Sequence, residues 1–532
     1  MSVPKVLVAD PISQRGVEEL AAGGCLEVVV RTGLSEEEIL SIIGKFEAVV
    51  VRSQTKITAR VLEAGGRLKV VGRAGVGVDN VDVDAATRRG VIVMNTPGGN
   101  TISTAEHTFS LLVSTARNIP QAHATVKAGE WNRKKFEGVE LCNKTLGILG
   151  MGRIGSEIAR RAIAFGMRVL AYDPYLSPSK ARTLQVELIE DIEELLPRAD
   201  FLTLHMPLTQ ETRHMLDARR LALCKKGVRV INCARGGLVD EAALAEAIQS
   251  GHVAGAALDV YEIEPPPADF PLRDLESVVF TPHLGASTAE AQENVGIEIA
   301  AAIRALLLEG EIRNAVNMPS IDAKTAAAVR PYLVLGDKLG RFAAQLAPKR
   351  NDRVEIVYGG RAADMPAGAI SRAILTGFLK HVGGEEINSV NCHTMAASLG
   401  LEIQETRSNE QADFNEWLRV AVSSGEVRVS VMGAFFGARN ESRIVRVNDR
   451  PVEVTPSGVV LLLENDDVPG IVGRVGTLLG NHRINIASMS LSRTEAGGRA
   501  LTLLNLDSIP QPETLVELVA FPSIASAKVI IL

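Results

Sequence analysis

Short apolar runs alternate with amphipathic helical segments along the first part of the chain. The apolar runs predict strands at Lys5–Ala9, Leu26–Val30, Ala48–Val51, Leu68–Val71 and Val91–Met94. Helical periodicity lies between them, most clearly at Ser13–Ala22 and Ser35–Ile43. Strands that are apolar throughout and alternate with helices are typical of a parallel sheet that helices cover on both faces. We therefore predict a doubly wound sheet within residues 5–97.

The same alternation resumes after a long helical segment at Ile102–Asn118. A second set of strands is predicted at Leu146–Leu149, Arg168–Tyr172, Phe201–His205, Val228–Cys233, Val253–Val260 and Val278–Thr281. The helical segment Ser287–Leu308 follows the last of these strands and could carry the chain back to the first sheet. We therefore predict two α/β domains, one of residues 99–287 and a discontinuous one of residues 1–98 and 288–315.

The pattern changes near Val316. Residues 316–452 mix helices with strands such as Arg353–Tyr358 and Val427–Val431, which indicates an α+β intervening domain. Residues 453–532 show strand, helix, strand, strand, helix and strand patterns at Val459–Leu463, Val468–Asn481, Ile484–Leu491, Arg499–Leu506, Pro512–Ala520 and Ser526–Ile531. That order predicts a C-terminal ferredoxin-like βαββαβ domain.

A glycine pattern follows the apolar run Thr145–Leu149 and opens a helical stretch. It reads Gly150-Met151-Gly152-Arg153-Ile154-Gly155. Glycines at this spacing permit a tight turn, a close approach of backbone to a pyrophosphate, and close packing of the helix on the strand. The free N–H groups at the start of the helix favour the phosphates. The pattern therefore predicts a dinucleotide-binding Rossmann domain.

An acidic residue stands at the position expected for a ribose contact. The next predicted strand, Arg168–Tyr172, ends directly before Asp173. This is close to the spacing of about 20 residues that such an acid has from the glycine pattern. A carboxylate accepts hydrogen bonds from the ribose hydroxyls and repels a 2′-phosphate, so the sequence favours NAD over NADP.

Composition narrows the class of protein. The 532 residues carry a formal net charge of -6, which gives no electrostatic reason to expect a nucleic acid or an anionic membrane surface as a partner. The five cysteines are scattered and form no metal-binding spacing. No signal peptide and no apolar run of membrane-spanning length is apparent. We expect a soluble cytoplasmic protein with reduced thiols and no metal.

Three polar side chains come at or just beyond the carboxyl ends of strands predicted in the second domain. Arg235 follows Val228–Cys233, Glu264 comes shortly after Val253–Val260, and His283 follows Val278–Thr281. Ligands of open parallel sheets bind at this edge.

Together these side chains suit hydride transfer at an alcohol carbon. A neutral imidazole accepts the hydroxyl proton, a carboxylate stabilises the resulting imidazolium, and a guanidinium holds a substrate carboxylate. His205 also ends a strand, but nothing pairs it with another group, so we expect it to be structural.

The first domain places two arginines at the ends of its own strands. Arg52 follows Ala48–Val51, and Arg73 follows the run that begins at Leu68. Two guanidiniums at the mouth of a sheet suit a substrate with a second anionic group such as phosphate. The alternative is a pair of surface arginines that are neutralised by nearby carboxylates.

Several segments together resemble the D-isomer-specific 2-hydroxyacid dehydrogenases. They are the glycine pattern, Val51-Arg52-Ser53, Gly72–Asn80, Asn95-Thr96-Pro97, Tyr172-Asp173-Pro174, Asn232–Gly237 and Thr281–Ala286. Along essentially the whole chain, the sequence is most similar to the long branch of this family that oxidises D-3-phosphoglycerate. The resemblance implies a flavodoxin-like substrate domain, a Rossmann NAD domain, an intervening domain and an ACT domain.

The resemblance also implies roles for individual residues. Arg235, Glu264 and His283 would be catalytic, and Arg52, Arg73, Asn100 and Arg133 would contact the substrate, the last from a neighbouring subunit. NAD would contact Gly150, Gly152, Arg153, Ile154, Gly155, Asp173, Cys233, Ala234, Arg235, Asp259, His283, Gly285 and Ala286. The implied reaction is the NAD-dependent oxidation of D-3-phosphoglycerate to 3-phosphohydroxypyruvate, the first step of the phosphorylated pathway of L-serine biosynthesis.

The C-terminal part resembles an ACT domain at Asn465–Gly470 and Arg483–Ile486. By position, Asn465, Asp467 and Asn485 would contact an effector, with L-serine the expected ligand. The ACT domain and the segment Trp131–Phe136 both imply a homo-oligomer, expected to be a tetramer.

Two other functions stay open from the sequence. One is a different 2-hydroxyacid dehydrogenase, such as a glyoxylate or hydroxypyruvate reductase, although those relatives generally end near residue 320. The other is a dinucleotide-sensing corepressor on the same fold, because fold alone does not establish function. The complete trio and the ACT-like tail favour the metabolic enzyme.

Overall fold

The computed structural model describes residues 3–319, 323–348, 350–384, 386–408, 413–437 and 441–532. Its first sheet is parallel and consists of β1 (Lys5–Val8), β2 (Glu27–Val30), β3 (Ala48–Val51), β4 (Val70–Arg73) and β5 (Ile92–Met94). The accompanying helices are α1 (Gln14–Ala21), α2 (Glu36–Ile42), α3 (Ala59–Ala64) and α4 (Val83–Arg88). The strand order β2-β1-β3-β4-β5 is that of a flavodoxin-like sheet, as predicted.

The second sheet is also parallel. It consists of β6 (Thr145–Leu149), β7 (Arg168–Tyr172), β8 (Glu187–Leu188), β9 (Phe201–Leu204), β10 (Val228–Asn232), β11 (Val253–Leu258) and β12 (Val278–Phe280). Its helices are α5 (Thr101–Arg117), α6 (Ile119–Lys127), α7 (Arg153–Ala164), α8 (Pro178–Thr183), α9 (Ile192–Leu195), α10 (Ala218–Leu223) and α11 (Glu241–Gln249). The order β12-β11-β10-β9-β6-β7-β8 reverses at β6, which opens a crevice at its carboxyl end. This confirms the predicted Rossmann sheet.

Helix α12 (Ala289–Arg304) returns from the second sheet to the first. Its Ile299 and Ile303 belong to the same buried cluster as Val6 and Val8 of β1. The contact with α1 is close, since a Cβ atom added to Gly16 would lie 2.8 Å from the backbone carbon of Gly296. The chain therefore enters the second sheet through α5 and comes back through α12.

Residues 323–454 form a mixed sheet with helices on one face. The elements are α13 (Ala323–Leu346), β13 (Arg353–Gly360), α14 (Ala367–Gly383), α15 (Cys392–Ser398), β14 (Glu402–Ser408), β15 (Glu416–Ser424), β16 (Val427–Phe436), β17 (Glu441–Val447) and β18 (Arg450–Val454). The order is β14-β13-β15-β16-β17-β18, with β13 and β14 parallel and the other neighbours antiparallel. Leu335, Leu339 and Phe342 of α13 are buried against this sheet. The sequence indicated an α+β domain here but only two of these strands.

The C-terminal sheet has the predicted ferredoxin-like order. It consists of β19 (Val459–Asp466), α16 (Ile471–Asn481), β20 (Ile486–Arg493), β21 (Arg499–Leu506), α17 (Pro512–Val519) and β22 (Ile524–Ile531). The strands are antiparallel in the order β20-β21-β19-β22. Gln345 of α13 exchanges two side-chain hydrogen bonds of 2.9 Å with the backbone of Ile531, which ties this sheet to the preceding one.

The intervening sheet also touches the first sheet directly. Asn388 Nδ2 donates to the carbonyl of Gly90 at 3.0 Å, and Asn391 Nδ2 donates to that of Arg88 at 3.2 Å. Val390, between them, is buried in the cluster that holds β1 and α12. The C-terminal half is therefore anchored at the end of α4.

The five cysteines are free thiols, of which Cys224, Cys233 and Cys392 are buried and Cys25 and Cys142 are exposed. Within the described ranges, no helix is both long enough and apolar enough to cross a membrane. Those ranges also hold no group of three or more His, Cys, Asp or Glu side chains arranged for a metal ion.

The crossing of α13 and α14 generates a stability prediction. A Cβ atom on Gly340 would collide with the carbonyl oxygen of Ile374, and one on Gly377 would collide with that of Asp337. Although alanine favours helices, we expect Gly340→Ala to lower the free energy of unfolding by about 1–3 kcal/mol, because overpacking forces the two backbones apart. Urea unfolding followed by the fluorescence of buried Trp417 measures the effect.

Gly368→Ala is the matched control in the same domain. Its added Cβ atom would meet only Pro319, at 3.9 Å. An unfolding midpoint that moves equally in both variants would contradict the close-packing explanation.

Candidate active site

The glycine loop lies between the carboxyl end of β6 and the start of α7. Gly150 has a φ of +98°, and a Cβ atom there would collide with the carbonyl of His205. A Cβ atom on Gly155 would collide with the carbonyl of Gly150. Gly152 is different, because a Cβ atom there would meet nothing within 4 Å, and no side chain caps α7 at this residue. The loop thus packs tightly on its protein side and leaves the N–H groups of α7 open to a ligand.

Asp173 lies beside this loop, at the end of β7. Its Oδ2 accepts a hydrogen bond from the backbone N–H of Met151 at 2.8 Å, and its Oδ1 accepts one from Tyr175 at 2.8 Å. A carboxylate next to an open helix N-terminus is the arrangement that the phosphates and ribose of a dinucleotide require. The residues present therefore fit a dinucleotide cofactor.

A cleft of about 470 Å³ lies between the carboxyl edges of the two parallel sheets. The first sheet's side contributes residues 76–79, Asn95 and Asn100, and the second contributes the segments after β9, β10 and β12. Of the residues that the sequence predicted, those lining the cleft are Asn100, Ile154, Cys233, Ala234, Arg235, Asp259, His283, Gly285 and Ala286. The structure thus brings most of the predicted trio and cofactor set to one place.

His283 and Glu264 form a direct pair at this cleft. His283 Nδ1 lies 2.8 Å from Glu264 Oε2, which leaves Nε2 as the second ring nitrogen. Tyr261 supports both partners. Its backbone N–H donates to Glu264 Oε1 at 3.2 Å, and its hydroxyl donates to the carbonyl of Thr281 at 2.8 Å. Sequence reasoning missed Tyr261, because its role depends on a backbone contact that leaves no motif.

The pair shifts both titrations. The hydrogen bond that His283 donates to Glu264 is the main cause that raises the pKa of His283, burial opposes it, and the charges of Glu264 and Asp259 raise it further. Burial alone would raise the pKa of Glu264, but the hydrogen bond and charge of His283 outweigh it, so that pKa is lowered. The couple is therefore arranged as an imidazole that gains a proton readily beside a carboxylate that stays ionised.

Arg235 reaches from the second sheet toward the first. Its Nη1 donates to the carbonyl of Ala234 at 2.7 Å, and its Nε lies 3.7 Å from Asp79 Oδ2. A Cβ atom on Gly77 would collide with the Arg235 guanidinium. Asp79 was not among the predicted site residues, although it belongs to the segment Gly72–Asn80. Its contact with Arg235 crosses between the two domains, so spacing within one domain gave no signal for it.

Arg73 is folded over Gly75, where a Cβ atom would occupy the place of the guanidinium. Its Nε is buried and finds no hydrogen-bond partner among the described residues. Burial lowers the pKa of Arg73 to about 10, and repulsion from Arg235 contributes. The group thus remains a cation at neutral pH, with donor capacity left over.

Arg52 lies close enough to Arg73 for its charge to lower the pKa of Arg73 as well. Its backbone N–H donates to buried Asp10 at 2.6 Å, and burial lowers the pKa of its guanidinium, with Asp10 opposing. Asn80 holds the same loop by donating to the carbonyls of Arg52 and Thr55, each at 2.6 Å. The surface alternative of two neutralised arginines does not describe Arg73, which is half-buried and has a buried Nε without a partner in the described chain.

Two predicted substrate contacts differ in placement. Asn100 begins α5 and lines the cleft, and its Oδ1 is buried without a hydrogen-bond partner in the described part of the chain. Arg133 lies on an exposed turn after Trp131, outside the cleft of its own chain. The contact of Arg133 with a neighbouring subunit's site therefore stays a prediction.

Asp259 is fully buried at the end of β11. Its Oδ1 accepts hydrogen bonds from Thr281 Oγ1 at 2.6 Å, Leu284 N at 2.7 Å and His107 Nε2 at 3.1 Å, and its Oδ2 accepts one from Gly285 N at 2.9 Å. His107 was missed by sequence reasoning, because it lies within a helical pattern that carries no motif. Oδ2 accepts one hydrogen bond and can accept another. Asp259 also lines the cleft, so its predicted contact with the cofactor stays a prediction.

His205 also lines the cleft, with its Nε2 2.8 Å from Thr203 Oγ1. Burial lowers the pKa of His205 to about 3, so it stays neutral. This agrees with the expectation of a structural histidine.

The predicted effector residues are each engaged with different partners. Asn465 is buried, and its Oδ1 accepts from Thr502 at 2.8 Å. Asp467 pairs with Arg493 at 2.7 Å, and Asn485 donates to Asp507 at 2.7 Å. Within one chain these three side chains do not share a contact in the described structure.

Comparison with known proteins adds the family. Residues 109–285 match the D-isomer specific 2-hydroxyacid dehydrogenase NAD binding domain, residues 328–448 the D-3-phosphoglycerate dehydrogenase intervening domain, and residues 459–520 the ACT domain. The chain is 45% identical to a D-3-phosphoglycerate dehydrogenase of Archaeoglobus fulgidus over 525 residues, which covers 98% of this chain and 99% of that protein. It is 43% identical to one of Methanocaldococcus jannaschii, with 99% of each chain covered.

Among solved structures, the chain resembles an NAD⁺-bound 3-phosphoglycerate dehydrogenase of Entamoeba histolytica. The TM-score is 0.51 at 28% identity, and the match covers 60% of this chain and 100% of that one. The full-length similarity extends through the intervening and ACT domains, which that shorter match leaves out. The chain therefore belongs to the D-isomer-specific 2-hydroxyacid dehydrogenase family, in the group of D-3-phosphoglycerate dehydrogenases that carry an intervening and an ACT domain.

Proposed function

We propose that this chain oxidises D-3-phosphoglycerate to 3-phosphohydroxypyruvate with NAD, the first step of the phosphorylated pathway of L-serine biosynthesis. The observation that carries the proposal is the His283–Glu264 pair in a cleft with Arg235, with the arginine pair Arg52 and Arg73 on the facing sheet. The full-length relatives are named for the same reaction.

The proton of the substrate hydroxyl passes to His283 Nε2. Because Nδ1–H donates to Glu264, the lone pair of the neutral ring lies on Nε2. When the proton arrives, the ring becomes an imidazolium beside an ionised carboxylate, which stabilises the charge. Glu264 thereby orients the base and favours its protonated product.

Different arginines bind the two anionic groups of the substrate. Arg235, next to His283, holds the carboxylate and polarises the oxygen that becomes the carbonyl. Arg73 and Arg52 take the phosphate, which supplies the acceptors that buried Arg73 Nε lacks inside the chain. Asn100 closes the same side of the cleft.

NAD would bind at the glycine loop and at the segments around it. The open N–H groups after Gly152 would bind the pyrophosphate, and Asp173 would accept hydrogen bonds from the ribose hydroxyls. The other predicted cofactor residues would supply the contacts on either side. A bound NAD would supply the acceptor for the hydride of the substrate carbon. Asp173 disfavours a 2′-phosphate by charge repulsion, which supports NAD over NADP.

The proposal extends to the domain bounds, the oligomeric state and the location of the protein. We assign residues 1–98 and 288–315 to the substrate domain, 99–287 to the NAD domain, 316–452 to the intervening domain and 453–532 to the ACT domain. A homotetramer places Arg133 at a neighbouring active site, and the exposure of Trp131 supports burial of this segment between subunits. Five free cysteines support a cytoplasmic location, since reducing compartments keep thiols reduced.

L-serine is the proposed effector of the ACT domain. An amino acid needs a carboxylate for its ammonium group, and Asp467 offers one just after β19, whereas Asn485 lies before β20 at the opposite end of the same sheet. The present partner of Asp467 is Arg493, so an effector ammonium would replace a guanidinium there. Paired ACT domains from two chains would bring such residues together, which one chain does not do.

The first prediction concerns substrate choice. NADH formation should be at least tenfold more efficient with D-3-phosphoglycerate than with D-glycerate, and L-serine should slow it. Arg73→Gln should lower that preference by about 10- to 100-fold, because a hydrogen bond to a charged group contributes about 1.5–3 kcal/mol. Arg60→Gln, at an exposed ion pair, is the control. Equal efficiency with an unphosphorylated acid would favour another 2-hydroxyacid dehydrogenase.

The second prediction concerns the base. His283→Asn should lower kcat by about 10²- to 10⁴-fold, the usual contribution of a general base. Calorimetric titration should show NAD affinity within about twofold of the original, because the glycine loop and Asp173 are unchanged. His123→Asn, at an exposed position on α6, is the matched control. Near-normal turnover in the His283 variant would remove the assignment.

The third prediction concerns pH. The base works only when neutral, so a raised pKa of His283 places the acidic limb of the kcat/KM profile at higher pH. Glu264→Gln removes the main cause of the rise, and the limb should therefore move to lower pH while the plateau falls about tenfold. Glu262→Gln, which contacts His214 instead, is the control. An acidic limb that stays in place would contradict the pairing.

A further inference from the structure

We propose that His107 is a positioning residue for this oxidation: through Asp259 it fixes the backbone of residues 281–285, which carry His283. The proposal rests on the proposed function only for what His283 does, because the contacts themselves are properties of the fold. His107 lies on α5, the helix that leads from the substrate side into the second sheet.

Asp259 is the centre of the arrangement. Its buried carboxylate binds the backbone N–H groups of Leu284 and Gly285, at 2.7 and 2.9 Å. These two residues follow His283 directly. The carboxylate therefore sets where the chain goes immediately after the base.

His107 completes the donor set of that carboxylate. Its Nε2 lies 3.1 Å from Asp259 Oδ1 and 3.1 Å from Thr281 Oγ1. With His107 the two oxygens of the carboxylate accept from four donors, and removing one of these charge-assisted hydrogen bonds weakens the network that holds the carboxylate in place. Thr281 precedes His283 by two residues, so the imidazole contacts the chain before the base directly and the chain after it only through Asp259.

A second residue of α5 points to the same function. Thr104, one turn before His107, donates through Oγ1 to the carbonyl of Gly285 at 3.0 Å. Residues three apart on a helix share a face. One face of α5 thus holds both the carboxylate and the segment that the carboxylate binds.

The backbone of His283 explains why such support is needed. His283 has a φ of +55°, in the left-handed region that residues with a Cβ atom rarely adopt. Such conformations persist where the surrounding contacts over-determine them. The ring meets Glu264 from this backbone position, so we expect that loosening residues 281–285 disturbs the contact between the base and its partner.

Three substitutions of His107 separate a positioning role from a space-filling one. In glutamine the amide nitrogen reaches about as far as Nε2, in asparagine it stops near the position of Nδ1, and phenylalanine keeps only the ring. We expect His107→Gln to keep kcat within about threefold, and His107→Asn and His107→Phe to lower it by about 10- to 100-fold, as misplaced catalytic groups do. NAD affinity should fall by much less than kcat in the asparagine and phenylalanine variants, because the glycine loop and Asp173 are unchanged. Ser110→Ala, exposed on the same helix, is the control.

Hydrogen–deuterium exchange gives a readout without turnover. In the full-length protein without substrate, the peptide that contains Leu284 and Gly285 should exchange at least about tenfold faster in His107→Phe and His107→Asn than in His107→Gln or the original chain. Circular dichroism and the thermal midpoint establish that each variant is folded. If the phenylalanine variant does not fold, the comparison of glutamine with asparagine decides.

Three results would overturn the proposal. They are equal kcat values for the glutamine and asparagine variants, unchanged exchange of the 281–285 backbone, and a loss of NAD affinity as large as the loss of kcat. Turnover is measured on whichever 2-hydroxyacid the original chain oxidises best. A failure of the phosphoglycerate assignment therefore shows in the original chain, whereas a failure of the His107 proposal shows in the ratios between variants and in the exchange rates.

Discussion

The close packing of α12 on the first sheet is the constraint on which the cleft depends. Gly16 and Gly72 lack the side chains that would hold this helix away, since a Cβ atom on either would press on Gly296 or on Ile299 and Ile303. With α12 fixed there and α5 crossing in the other direction, the carboxyl edges of both sheets face one cleft. Only this arrangement lets Arg235 of one domain meet Asp79 of the other.

The charges of the cleft are balanced for an anionic ligand rather than for one another. Arg73 is half-buried and has a buried Nε without a partner in the described chain; desolvation lowers its pKa to about 10, and repulsion from Arg235 contributes. Buried cations normally have partners, because desolvation without one is costly. Asp79 and Asp10 offset part of this charge. A substrate with two anionic groups supplies the rest, whereas a monoanionic acid would leave one part of the cluster without a partner.

Local patterns predicted where the candidate catalytic and cofactor residues lie, but they did not predict the contacts that support them. The glycine loop, Asp173, Arg235, Glu264 and His283 stand at strand ends, and parallel strands gather their carboxyl ends at one edge, so the sequence located them. Tyr261, His107 and Asp79 act through contacts with distant segments, and no spacing encodes them. Most strands of the intervening sheet were not predicted, because their polar and apolar residues follow no regular period. The roles predicted for Arg133 and the effector residues would depend on contacts between chains, which the pattern of one chain does not contain.

The C-terminal half is joined to the substrate side of the molecule. Asn388 and Asn391 bind the backbone at the end of α4, and α4 begins three residues after Asn80, which holds the Arg52 loop. The ACT-like sheet is tied in turn to α13 through Gln345 and Ile531. The C-terminal half therefore has two contacts with the substrate side of the molecule: one through α4, which follows the segment that holds Arg73 and Asp79, and one through Val390, which is buried with α12. Because α12 directly follows the segment that carries His283, both sides of the cleft are packed against elements that the C-terminal half touches.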